Sequence, residues 1–114
     1  MEIIDKIDIK TKKYSSFKKY VENYVSSVLK EKGYTDLDIM DIKLYINWCP
    51  AHTDIFKYGL TIGLDSFDNI VMCREYLYDV CWEEAFKNKN RIILNNTLDY
   101  MVKHFQQLVI EHYQ

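Results

Sequence analysis

Glycine is scarce in this 114-residue chain, at Gly33, Gly59 and Gly63 only, and Pro50 is the sole proline. So few glycines cannot build the phosphate-cradling loops of P-loop or dinucleotide-binding proteins, which disfavours nucleotide-dependent chemistry. One proline beside an apolar share of 48% excludes a proline-rich linker or low-complexity tract and predicts a folded chain. Long apolar runs are missing too: none approaches the roughly 18 uncharged residues of a membrane span. The opening Met1-Glu2-Ile3-Ile4-Asp5-Lys6 carries charges where an export signal needs an apolar core. The expectation is a cytoplasmic protein with no membrane contact. The three cysteines, Cys49, Cys73 and Cys81, lack paired spacing, which predicts reduced thiols rather than a disulfide framework. At this length a single α+β domain over residues 1–114 can bury roughly two thirds of its unfolded surface without staples.

What the chain does have is a period-two stretch at its centre. Met40, Ile42, Leu44, Ile46 and Trp48 precede a turn, and Phe56, Tyr58, Leu60, Ile62 and Leu64 follow it. Successive strand side chains point to opposite faces, so the pattern predicts a β-hairpin burying its even positions. Pairing Ile46 with Tyr58 and Leu44 with Leu60 sets Tyr45 against Gly59, Lys43 against Thr61, Asp41 against Gly63 and Asn47 against Lys57.

Helices flank the hairpin. Phe17, Tyr20, Val21, Tyr24, Val25, Val28 and Leu29 follow helical spacing. Ser15 or Ser16 is the expected N-cap, and Gly33 is the expected left-handed stop with Tyr34 making the accompanying apolar contact. A second helix is expected from about Thr97 to Tyr113, capped by Asn96, with both stripes covering the hairpin's apolar face. The stretch from Asn69 to Asn88 fits either a helix or a strand. A lone hairpin is marginal, which favours a third strand over Ile70–Tyr78, then a short helix from Val80 to Lys87 capped by Asp79. Ile3–Ile9 is a weak candidate for a fourth, edge strand. The predicted architecture is an N-terminal helix, an antiparallel sheet of three or four strands, and C-terminal helices on one face.

Charge is segregated. Residues 1–35 hold eight lysines against five acids, and residues 87–114 hold four bases against two acids. Residues 36–86 hold ten acids against Lys43, Lys57 and Arg74. Acids in turns and at helix starts account for part of this; an acidic docking face for a basic partner is the functional reading.

Catalytic and metal motifs are thin. Cys49 and His52, with Asp54 nearby, are a zinc half-site at most, because Cys73, Cys81, His104 and His112 supply no second paired unit. The same pair as nucleophile and base would need a lowered thiol pKa and an orienting group, and the sequence locates neither. Glu83-Glu84 and the set Asp36, Asp38 and Asp41 read as solvated charge. Neither cofactor nor metal is expected. Lys10, Lys12, Lys13, Lys18 and Lys19 interleave with Tyr14 and Tyr20, as in a nucleic-acid binder, but Tyr20 lies on the helix stripe. Arg74 is moreover the one arginine of the first 90 residues, and base readers favour arginine.

The hairpin's odd face is the remaining candidate. Two glycines on one strand face mark a close approach, and ten tyrosines suit a protein-binding surface. The expected partner-binding residues are Asp41, Lys43, Tyr45, Asn47, Asp54, Lys57 and Thr61. The expected function is non-enzymatic: a small protein-binding module inhibiting a basic partner such as a toxin or nuclease, of toxin-immunity or phage anti-defence type. An adaptor or homodimeric subunit, a Cys/His enzyme and a lysine-mediated nucleic-acid binder are the alternatives.

Overall fold

The structure, a computed structural model, describes residues 1–5, 12–48, 60–66, 71–77 and 86–113. Its elements in chain order are β1 (Glu2–Asp5), α1 (Lys12–Glu31), α2 (Asp36–Met40), β2 (Lys43–Trp48), β3 (Leu60–Asp65), β4 (Met72–Leu77) and α3 (Asn88–His112). The strands form one sheet in the order β1-β2-β3-β4. β2, β3 and β4 are antiparallel neighbours, so the pairing order of the predicted hairpin and third strand holds, with β4 covering Met72–Leu77 of the expected Ile70–Tyr78. β1 joins β2 in parallel, which makes the sheet mixed. Parallel strands need a crossover, and α1 with α2 provides it.

One face of the sheet carries the core. Ile42, Leu44, Ile46, Ile62 and Leu64 are buried, together with Tyr14, Phe17, Val21, Val25 and Leu29 from α1 and Leu94, Leu98, Met101, Val102 and Phe105 from α3. The even-position pattern therefore holds at these five hairpin positions; Phe56 and Tyr58 lie outside the described residues. Met40 departs from it: it is 67% exposed and sits in α2, while Ile39 is buried. Ile39 and Ile42 are three apart, the spacing of a helical turn, and this turn replaces the start of the expected strand.

α1 begins earlier than expected. Tyr14 extends its apolar stripe by one turn, so Ser15 and Ser16 lie inside the helix and are exposed instead of capping it. Its end is as expected. Gly33 adopts φ +95°, Gly33 N–H donates to Lys30 O at 3.0 Å, and Tyr34 N–H donates to Leu29 O at 3.1 Å. These two bonds are the Schellman pattern, and Tyr34 packs on the core beside it.

α3 starts at Asn88, with Lys87 at the N-cap position, and Asn96 is an exposed residue within the helix. Buried Leu94 continues the stripe of Leu98, Met101 and Phe105 backward, and packing outweighs the capping preference of asparagine. The expected helix over Val80–Lys87 lies largely outside the described residues, as do Asp79, Ile7 and Ile9.

The α1–α3 seam is closed by aromatic and polar pairs. The Tyr20 hydroxyl donates to Asn95 Oδ1 at 2.6 Å and the Tyr24 hydroxyl to Asp99 Oδ1 at 2.9 Å. Phe86 meets the Tyr20 ring edge-on at 5.0 Å between centroids, and the Arg91 guanidinium lies 5.5 Å from the centre of the Tyr20 ring. At the sheet's other flank Lys18 Nζ reaches Asp5 Oδ2 at 3.2 Å and lies 5.5 Å from the Tyr14 ring centre. Burial, then the neighbouring Asp5, push the Tyr14 phenol above its ordinary range.

A candidate docking cleft at the end of the sheet

The register of the hairpin differs from expectation by four residues. Leu44 pairs with Leu64, Ile46 with Ile62, Tyr45 with Gly63, Asn47 with Thr61 and Lys43 with Asp65. A shift by an even number keeps every side chain on its predicted face, so Lys43, Tyr45, Asn47 and Thr61 do share the outer face. Asp41 does not; it terminates α2. Asp54, Lys57 and Gly59 lie outside the described residues.

The outer face is less open than the sequence suggests. Lys43, Tyr45, Asn47 and Thr61 are half-buried, and Asp65, opposite Lys43, is fully buried. Tyr45 leans past Gly63, which has no side chain to obstruct it, and its hydroxyl donates to Asp65 Oδ2 at 3.1 Å. The Tyr45 hydroxyl and one Asp65 oxygen are thus bonded to each other, while Asp65 Oδ1 is buried with no hydrogen-bond partner among the described residues.

An acidic, tyrosine-bearing surface exists instead at the end of the sheet. A cleft of about 400 Å³ opens there, between α2, the β3–β4 turn and the last turns of α3. Phe105, Val109 and Ile42 supply its apolar lining, and Tyr34 and Tyr113 its aromatic walls. Asp38, Asp41 and Ser66 supply its polar groups; neither lysine nor arginine lines it among the described residues. Leu37 and Met40, 74% and 67% exposed, project from the same short helix.

Each wall has a local cause. Thr35 and Asp38 form a capping box: Thr35 Oγ1 accepts from Asp38 N–H at 3.2 Å, and Asp38 Oδ2 accepts from Thr35 N–H at 2.9 Å. The Thr35 backbone bond, followed by that of its side chain, holds the Asp38 carboxyl below its ordinary pKa. The left-handed turn at Gly33 delivers Tyr34, whose phenol is raised first by burial and then by the Asp38 charge. Ser66 closes the β3–β4 connection, its N–H donating to Val71 O at 2.9 Å and its Oγ accepting from Val71 N–H at 3.1 Å.

The acids of α2 are not equivalent. Asp36 is in the first turn and pairs with Lys30 at 3.2 Å, and Asp38 caps. Asp41 is the C-cap, where the helix dipole disfavours a negative charge, and its carboxylate makes no hydrogen bond or ion pair among the described residues.

The other sequence candidates separate. Tyr14 is 1% exposed and the Tyr20 hydroxyl is engaged with Asn95, so neither offers the free ring that base stacking would require. Cys49, His52 and Cys81 lie outside the described residues. Cys73, by contrast, is buried with Sγ 3.1 Å from His104 Nδ1 and 3.5 Å from the Met101 carbonyl oxygen, a contact that ties β4 to α3. Among the described residues no cluster of three or more His, Cys, Asp or Glu suits a metal ion, and no helix is long and apolar enough to cross a membrane. No family model, curated protein or solved structure matches the chain.

Tyr34, Asp38, Phe105 and Tyr113 were not singled out as site residues by the sequence. Their one sequence signal was the run of Asp36, Asp38 and Asp41 after a glycine stop; nothing local joins it to Tyr113.

Proposed function

We propose that this chain is a non-enzymatic protein-binding module that captures, and so inhibits, a basic partner protein, in the manner of a toxin-immunity or anti-defence protein. The observation that carries the reading is Asp41, whose carboxylate makes no hydrogen bond or ion pair among the described residues, set in a cleft with exposed apolar side chains on the same helix and no lining lysine or arginine among the described residues. The helix dipole disfavours a negative charge at this end of α2, and a partner's base would offset it.

The test is affinity capture from the source cell with wild type and Asp41→Asn in parallel. One basic protein should be enriched by the wild type and recovered about tenfold less with the variant, as expected when a charge-assisted contact is lost. Equal recovery by both proteins rejects the cleft as the docking site. Asp41 is exposed, so circular dichroism of the variant should match that of the wild type.

Exposed Ile92, Ile93 and Tyr100 along α3 favour a second reading, a homodimer built on that helix. Sedimentation equilibrium separates the two: under this reading self-association is lost in Ile92→Asp and unaffected by Asp41→Asn.

A further inference from the structure

We infer that the cleft takes an arginine side chain of the partner, flanked by an apolar residue; this rests on reading the cleft as the docking site. Three features select that occupant. The carboxylates of Asp38 and Asp41 make the lining acidic, and among the described residues no lysine or arginine lines the cleft or pairs with either acid. Its walls include the rings of Tyr34 and Tyr113. A guanidinium is planar, stacks on aromatic faces and bonds a carboxylate through two parallel N–H groups, whereas an ammonium is a strongly hydrated point charge. The cleft therefore rewards arginine over lysine.

The third feature is the rim. Leu37 and Met40 stand exposed on α2, the helix that carries the cleft-lining Asp38. At about 400 Å³ the cleft lies at the small end of the roughly 300–1,000 Å³ range of ligand pockets, fitting one long side chain with part of its neighbour. An apolar residue next to the arginine would cover the exposed methionine or leucine. The occupant is thus a short basic, amphipathic segment.

Three acetylated, amidated tripeptides test this on the full chain: Leu-Arg-Leu, Leu-Lys-Leu and Leu-citrulline-Leu, followed by calorimetry and by amide chemical shifts. The arginine peptide should bind saturably, moving the amides of Tyr34, Asp41, Ser66 and Tyr113. Lysine should bind several-fold more weakly, and citrulline, which keeps the shape without the charge, about tenfold or more weakly. Asp41→Asn should remove most of the difference between arginine and citrulline. The inference is overturned if citrulline binds as well as arginine, if lysine equals arginine, if saturating shifts map elsewhere, or if no peptide saturates. It is also overturned if the protein self-associates and Asp41→Asn abolishes it, since the cleft would then belong to a second copy.

The two levels fail separately. Partner capture that depends on Asp41 without arginine selectivity keeps the docking cleft and removes the arginine. Arginine binding in the cleft alongside capture indifferent to Asp41 keeps the ligand chemistry and removes the docking role.

Discussion

The α1–α3 seam and the cleft at the end of the sheet are built from the same materials and handle them oppositely. In the seam, Tyr20, Tyr24, Asn95 and Asp99 are matched pairwise by hydroxyl bonds, and Arg91 is spread over aromatic rings. At the cleft, tyrosines and aspartates stand beside one another, the Asp41 carboxylate has no partner among the described residues, and Leu37 and Met40 are exposed. A region that only needs to hold together satisfies its own groups. On the proposed reading, the cleft leaves its acid and its apolar side chains for a partner.

The contrast can be broken from the seam side first. Phe17 is fully buried and its ring packs 6.4 Å from that of Phe86, so Phe17→Ala should cost about 3–5 kcal/mol in urea unfolding. Leu37→Ala at the cleft should shift stability by less than about 0.5 kcal/mol. Equal losses would show that the exposed leucine is structural.

A smaller effect is expected at the cap between the two regions. Thr35→Ala removes one half of the capping box and should destabilise by about 1 kcal/mol. Because the folded Asp38 pKa lies below its unfolded value, its contribution is fully present above the ordinary carboxylate range near pH 4 and is lost as pH falls through the lowered value. Unfolding midpoints in acid should therefore fall less steeply for Asp38→Asn than for wild type. Parallel curves would leave the cap without energetic weight.

A smaller effect than that of the cap sharpens the seam. Tyr24→Phe should cost about 0.5 kcal/mol, since its bond to Asp99 is solvent-accessible. Its phenol is pushed up to about 12, by burial first and then by Asp99, so its contribution is present below pH 10 and fades as pH rises through 12. Ultraviolet titration should show one fewer tyrosine ionising near pH 12 in the variant.

These regions were unequally legible in sequence. The stripe of α1 and the stop at Gly33 could be read because periodicity and a left-handed glycine act locally. The hairpin's faces could be read for the same reason, but not its register, since a four-residue slip leaves the apolar pattern intact. Pairing Tyr45 with Gly63 and bonding it to Asp65 selects among the slips, and neither contact is visible in a period. α2 escaped because five residues hold barely one turn; Thr35 and Asp38 bore its capping signature, yet Met40 and Ile42 imitated a strand. The alternation places Asp41 on the sheet's outer face, a position it does not occupy. The cleft itself needs Tyr34 and Tyr113, brought together by the packing of whole elements, and no motif encodes that.

The parallel pairing of β1 has a kinetic consequence. β2, β3 and β4 are successive antiparallel neighbours and can zip together locally, whereas β1 finds Lys43–Ile46 only after the chain through α1 and α2 has closed a long loop. The four residues of β1 form an edge of the sheet, so this strand should dock last in folding and open first. Hydrogen exchange should show Glu2 and Ile4, whose amides face β2, losing protection before any amide of β3, and a partner seated on the cleft at Ile42, whose carbonyl holds Glu2 N–H at 3.1 Å, would slow that opening from a distance.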